Sequence, residues 1–564
     1  MPPLCLILLA SSAFAAPTSV VVRPSHPLAT VPAGFYSVGY DGWHDILDPG
    51  AVKQLQDVRV HFCRIAVDLK LLCGDRLGDF RWEYTTPADV GVGFVSRVKR
   101  IVENGWTPML ALTTSHSLPS WFKGEATDAN GKPWFKYNLA GSAAAVLPLS
   151  QASSARERGS GGEEAVPSDQ WEELSRIAHG LAAGLAERGL KSLYWETIYE
   201  IGHTMPSPDL HYFAAKGIRE ADPTAKLIGP ATWPGWTVEE RFVKPYLERY
   251  GPDLLDYVSI HWYADNEHGL WAAPGWKDRK GPVTMGDRLF VQYLIETAPK
   301  YGPWCQSLRK VLDDPQRNPV RKPIGIFYSE FDCLATSPYQ QNPENADWPN
   351  YRADADCYLN TNWFGGVWCA ATLCSMLQSG AIDAAFKFTT RDYYGLIENS
   401  TQGGYFREPV WFAWKLLQDA GGLVPGAQLV ETTVDGPRDQ AQAHVGGEDT
   451  PWVMATAVRA ADGLRIILIN RSLEPQTVSL SLEGGTPARL RRFLYSQDRL
   501  ASYIGPKPGA ERNGAFEGAP DDSRNQRCLE PLDDVATGEG APALELPPIS
   551  ITVLRPMEES APPR

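Results

Sequence analysis

Three glutamates are the first candidates for chemistry. The stretch "YWETIYEIGH", residues 194–203, sets Glu196 and Glu200 among aromatic and β-branched residues, which favour an extended strand. In a regular strand, side chains four apart share a face. The stretch "PIGIFYSEFD", residues 323–332, ends a second apolar run on Glu330. Two carboxyl groups brought together at one site are the apparatus of glycoside hydrolysis: one serves as acid and then base, the other as nucleophile or activator of water.

Such groups need elements that bring them together. Strand signals fall at residues 35–39, 58–66, 108–112, 192–199, 227–229, 257–263, 324–329 and 384–388, with helical patterns between them. Eight alternating β and α units imply a parallel sheet closed into a (β/α)₈ barrel. The clearest helix has Ser168 as N-cap. In it Trp171, Leu174, Ile177, Leu181 and Leu185 recur at helical spacing before Gly189. In such a barrel the active site lies at the C-terminal strand ends. Glu200 ends the fourth strand, Glu330 the seventh, and His261 with Tyr263 the sixth. Alternation sends Val258, Ile260 and Trp262 outward and Ser259, His261 and Tyr263 inward. It also sets Ile324, Ile326, Tyr328 and Glu330 on one face. Glu196 then lies about 13 Å deeper than Glu200. It is expected to be structural, held by a buried basic or hydrogen-bonding partner.

After Gly422 the pattern changes. "PWVMATAVRAADGLRIILINRS" and "QTVSLSLEGG" alternate as strands between turn residues. This predicts an antiparallel β-sandwich, joined by a strand at residues 16–32 that carries "TSVVVRPS". The domains are therefore a barrel at 33–422 and a sandwich at 423–564. Small, polar, Gly-rich stretches at 140–169 and 505–543 read as a flexible insertion and a disordered one.

Composition narrows the partners. The net charge of -14 argues against nucleic acid or an anionic membrane. The apolar run at 4–10 followed by Ala13-Phe14-Ala15 reads as a signal peptide over residues 1–15, hence secretion, and no later run is long enough to span a bilayer. The 9 cysteines show no zinc-binding spacing, and Cys333 and Cys357 can be paired across a loop. Asn399 and Asn470 begin glycosylation sequons. No metal or cofactor is required.

The segments together resemble the clan of retaining barrel glycosidases, and within it glycoside hydrolase family 39, whose members include β-xylosidases and α-L-iduronidases. "WETIYEIG" looks like the family's acid/base segment, aromatic-Glu-x-Trp-Asn-Glu-Pro. "DYVSIHWY" resembles its sixth strand, and "FYSEFD" its nucleophile segment. "REPVWFAWKLL" is similar to the helix after the eighth strand, and "GLRIILINRS" and "LELPPISITVL" to sandwich strands. The resemblance implies Glu200 as acid/base and Glu330 as nucleophile. Arg64, in "HFCRIAV", would brace the nucleophile. His261 and Tyr263 would bind sugar or orient Glu330. His116 and Trp121 after the third strand, and Trp43 and His44 after the first, are weaker candidates for sugar contact. Two departures stand out. Tyr199 replaces the family's Asn, the usual partner of the sugar 2-OH, and Ile201 replaces its Pro. The eighth strand lacks the family's Trp, so Phe386 is expected to floor the sugar site, with Lys387 and Arg391 close enough to read a uronic-acid carboxylate. The expected activity is therefore retaining hydrolysis of β-glycosidic bonds. The alternatives are a glycosidase for a uronic-acid or arabinofuranosyl sugar, and a non-catalytic carbohydrate-binding barrel.

Overall fold

The computed structural model describes residues 17–40, 48–85, 91–113, 168–199, 207–232, 237–264, 288–333, 363–390, 395–399, 404–438, 450–460, 462–484, 489–500, 522–537 and 542–557. The first strand, β1 (Thr18–Thr30), belongs to a sheet outside the barrel. The next eight are β2 (Tyr36–Tyr40), β3 (Phe62–Val67), β4 (Thr107–Leu112), β5 (Tyr194–Glu196), β6 (Lys226–Thr232), β7 (Tyr257–Tyr263), β8 (Gly325–Asp332) and β9 (Ala384–Lys387). They close into a barrel in sequence order, with β2 parallel to β9 from Tyr36 opposite Ala385. All eight predicted barrel strands are present.

The outer faces of the strands pack against helices. Val258, Ile260 and Trp262 join the large core, and Trp262 stacks on Tyr301 of the helix Tyr301–Leu312 at 4.8 Å. The helix Ser168–Glu187 buries Trp171, Leu174, Ile177, Leu181 and Leu185. It is followed by Gly189 at φ 84°, a left-handed conformation that glycine adopts without a Cβ clash.

The barrel interior is layered. Its lower layer is apolar, built from Phe62, Met109, Ile228, Phe327, Ala384 and Phe386, with Tyr194 and Tyr257 against them. The polar layer begins above it, at Arg64 on β3 and Glu196 on β5, each two residues further along its strand.

A short pair, β10 (Ile397–Asn399) and β11 (Tyr405–Arg407), precedes the second sheet. That sheet comprises β1, β12 (Gln428–Asp435), β13 (Val453–Ala460), β14 (Gly463–Asn470), β15 (Gln476–Leu482), β16 (Arg489–Tyr495), β17 (Pro531–Ala536), β18 (Leu544–Leu546) and β19 (Ser550–Pro556). β1 lies between β12 and β15, antiparallel to the first and parallel to the second. One face gathers Val20, Val22, Ile466, Leu468 and Leu554 into its own core. The alternate residues Ile467, Ile469 and Val553 join the barrel's core instead. Gln378, at the end of the helix Trp363–Ser379, donates to the Ala455 carbonyl, and Tyr495 Oη donates to the Pro409 carbonyl.

Two expectations need correction. The stretch 505–543 is not uniformly disordered: residues 522–529 form a 3₁₀ helix and β17 pairs with β16. Cys528, fully buried in the shared core, and Val535 opposite Leu490 supply the apolar anchors. Asn470 is an unsuitable glycan acceptor. It is fully buried, and its Nδ2 donates to the carbonyls of Glu474, Leu546 and Pro547 at 2.9, 3.3 and 2.7 Å.

Candidate active site

Arg64 is the centre of the polar layer. Its Nε and Nη2 both lie 2.7 Å from Glu196 Oε2. Its Nη1 donates to Glu330 Oε1 at 2.6 Å. Its Nη2 is 3.2 Å from His261 Nε2. Arg64 and Glu330 are each 1 % exposed, and Glu196 and His261 are 0 % exposed. Removing charges from water to this degree is costly, and the cost is offset only by close opposite charges and hydrogen bonds.

Two more groups converge on Glu330. Tyr263 Oη donates to Oε2, and His261 Nδ1 lies 3.3 Å from the same oxygen. The tautomer of His261 follows from its neighbours. A guanidinium only donates, so Nε2 facing Arg64 is the bare nitrogen and Nδ1 carries the proton towards Glu330. The imidazole is neutral: burial pushes its pKa down to about 4, against the upward pull of Glu330 and Glu196 and with a further downward push from Arg64. Both oxygens of Glu330 are thus held by donors, which fixes the carboxylate in place.

Glu330 reaches this position through an irregularity. Phe327 belongs to the inner layer and Tyr328 to the outer core, so unbroken alternation would turn Glu330 outward. The register with β7 shifts here: Ile260 lies opposite Tyr328, but His261 lies opposite Glu330. Ser329 is the extra residue of a β-bulge, and the bulge returns Glu330 to the inside. The expected shared face of Ile324, Ile326, Tyr328 and Glu330 is therefore wrong for Glu330. On β7 the predicted alternation is observed.

The fourth barrel strand also departs from expectation. It ends at Glu196, not Tyr199. Thr197 Oγ1 bonds His211 Nδ1 at 2.7 Å, and Ile198 joins the outer core. Tyr199 turns to the site, where the Arg64 guanidinium carbon lies 4.7 Å from its ring centroid and the His261 ring meets it edge-on at 6.0 Å. The regular strand that would set Glu196 and Glu200 on one face stops before Glu200. Glu196 has the basic partner expected of it, yet it sits one guanidinium away from Glu330.

Phe386 does not floor a site. It lies in the lower aromatic layer, stacked on Phe62 at 5.7 Å and fully buried. Phe388, half-buried, packs edge-on against Tyr263 at 5.6 Å instead. Alternation along the last strand was the signal that could have found it. Lys387 is not a solvated cation or a reader of substrate charge. Its ammonium is held by Asp332 at 1 % exposure. Glu200, His116, Trp121, Trp43, His44, Arg391 and Cys357 lie outside the described residues. The site thus combines a braced carboxylate, a neutral histidine and a phenol at the C-terminal ends of barrel strands, an arrangement able to hold an anionic nucleophile for displacement at carbon.

The fold is a (β/α)₈ barrel bearing a β-sheet domain built from both ends of the chain. No protein-family model and no curated protein sequence matches it. Solved structures do. A family 51 α-L-arabinofuranosidase from Bifidobacterium longum superposes with a TM-score of 0.57 at 14% identity, over 95% of this chain and 99% of the other. A bifunctional glucanase-xylanase from a metagenome library gives 0.53 at 15% identity, over 95% and 98%. A family 39 glycoside hydrolase from Bacteroides cellulosilyticus gives 0.52 at 13% identity, over 93% and 81%. At these identities the likeness is one of fold.

Proposed function

We propose that the chain is a secreted retaining glycoside hydrolase acting on β-glycosidic bonds of oligo- or polysaccharides, in the manner of a β-xylosidase. Glu330 attacks the anomeric carbon to form a glycosyl ester. Glu200 protonates the departing oxygen and then deprotonates the water that hydrolyses the ester. Retention by this route needs the two carboxyls about 5–5.5 Å apart. The observation that carries the reading is the convergence of Arg64, Tyr263 and His261 on Glu330 at the end of the seventh barrel strand. The apolar run at residues 4–10 supports export.

Tyr199, stacked on Arg64, supplies no amide for a sugar 2-OH. That favours a second reading, an arabinofuranoside as substrate, and the structural likeness to an arabinofuranosidase supports it. With Lys387 engaged by Asp332, nothing comparable favours a uronide.

The test is a panel of aryl β-D-xylosides, α-L-arabinofuranosides and β-D-glucuronides. Turnover of the xyloside is expected, with Glu330→Gln inactive and Glu200→Gln slowed roughly 10²–10⁴-fold. Undiminished turnover by either variant would overturn the residue assignment. A wild type that hydrolyses none of the panel would overturn the activity.

A further inference from the structure

The charges of the polar layer do not balance. Among the described residues, Arg64 contributes one positive charge there and Glu196 and Glu330 contribute two negative ones, while His261 is neutral. The second oxygen of Glu196, Oε1, is buried and makes no hydrogen bond. Arg64 is thus the counter-ion of Glu196, yet it must also serve Glu330. A surplus charge in a layer at most 1 % exposed is unfavourable. A fold that needed only to anchor Arg64 could do so with a neutral amide on β5.

The surplus has a chemical meaning under the proposed function, on which this inference rests. In the first displacement a Glu330 oxygen forms a bond to the anomeric carbon, and the bond from that carbon to the leaving oxygen breaks. The leaving oxygen takes a proton from the acid, so the products are an alcohol and a neutral ester of Glu330. The layer then holds only Arg64 and Glu196, and its charges cancel. Without Glu196, the resting layer would be balanced and the ester would leave a buried guanidinium unpaired. We infer that Glu196 is a positioning residue that acts through Arg64, raising the energy of the Glu330 carboxylate at rest and providing the counter-ion of Arg64 in the glycosyl-enzyme. The geometry suits this. Both Nε and Nη2 of Arg64 stay on Glu196, so the pair persists when Nη1 loses its charged partner.

The two half-reactions respond oppositely. Removing the Glu196 charge should slow glycosylation, because Glu330 starts lower and the ester ends higher. It should not slow deglycosylation, which restores the Glu330 carboxylate beside Arg64. A merely structural role would slow both, because loosening Arg64 misplaces Glu330 in each step.

The experiment compares wild type with Glu196→Gln on the 2,4-dinitrophenyl glycoside of the sugar returned by the panel, β-D-xyloside on our reading. Its 2-deoxy-2-fluoro analogue is used in parallel to accumulate the ester. Labelling of Glu330 is followed by mass spectrometry, and recovery of activity after removal of excess reagent reports deglycosylation. The expected result is labelling slower on the order of 10²-fold, with recovery as fast as wild type or faster. Equal slowing of both steps, or no change in either, overturns the inference while leaving the hydrolase reading intact. A wild type that is neither labelled nor turns the glycoside over overturns the hydrolase reading itself. If Glu196→Gln does not fold, Glu196→Asp, whose shorter arm weakens the pair, should show the same split to a smaller degree, and equal slowing there also overturns it.

Discussion

Tyr328 and Glu330 lie two residues apart on β8 and face opposite sides of it. The phenol ring packs outward against Tyr301, while the carboxylate turns in to Arg64. A regular strand would put both on one side. The extra residue between them, Ser329, therefore decides whether this chain has an anion at the barrel mouth.

The first prediction concerns the hydroxyl that meets this carboxylate. Tyr263→Phe removes the donor to Glu330 Oε2 but keeps the ring packed on Phe388. His261 and Arg64 still hold the carboxylate, so folding should survive, at a loss of about 1–2 kcal/mol. In steady-state kinetics, kcat should fall roughly 10–100-fold with KM little changed, as for a group whose orienting role matters most in the transition state. A variant whose kcat matched wild type would show that Tyr263 does not orient Glu330.

The second prediction is a pH dependence of stability. His211 and His261 are both held near pKa 4 by burial, below the ordinary 6.5. His211 lies between Thr197 Oγ1 and the Leu254 carbonyl. In the folded chain both rings stay neutral between these values, while in the unfolded chain they take up protons. Their contribution is therefore fully present above pH 6.5 and is lost as the pH falls towards 4. At pH 5 each should have given up about 2 kcal/mol. Urea unfolding of wild type and His211→Gln at pH 7.5 and 5.0 should show the variant losing about 2 kcal/mol less. Equal losses would mean that His211 is already charged in the folded state.

The third concerns Asn470. Its side-chain amide donates to three carbonyls at the junction of β14 with the segment before β19. Asn470→Ala leaves buried acceptors unpaired and should cost about 1–3 kcal/mol, seen as a lower thermal midpoint. Expression in a glycosylating host should leave the mass at this site unchanged. A glycan on Asn470 would contradict the burial.

What could be read from the residues was whatever obeys a period. The eight barrel strands, the helix Ser168–Glu187 and the inward face of β7 all follow regular spacing and appear as expected. What escaped were interruptions of period. The bulge at Ser329 has no glycine or proline to announce it, and β5 ends two residues after its first Tyr because the chain turns to pair Thr197 with His211. Phe386 and Phe388 lie on the same side of one strand, so only depth in the barrel tells a floor from a wall. Lys387 and Asp332 are distant in sequence, and no local pattern could have shown that each neutralises the other. The same holds for Arg64, whose partners come from β5, β7 and β8.

The placement of β1 has a temporal consequence. Its residues pair with partners more than 400 positions away: Ser19 with Asp435, and Thr18 with Val478. During synthesis the first strand to leave the ribosome is among the last to find neighbours, since β12 and β15 emerge only after the whole barrel. Contacts of such long range are slow to form. Until then its alternating Val20 and Val22, fully buried in the finished sheet, remain unpaired on an open edge. The nascent chain should therefore be most prone to aggregate after the barrel is complete and before β15 has emerged, and chains truncated ahead of Gln476 should be recovered mainly as aggregates.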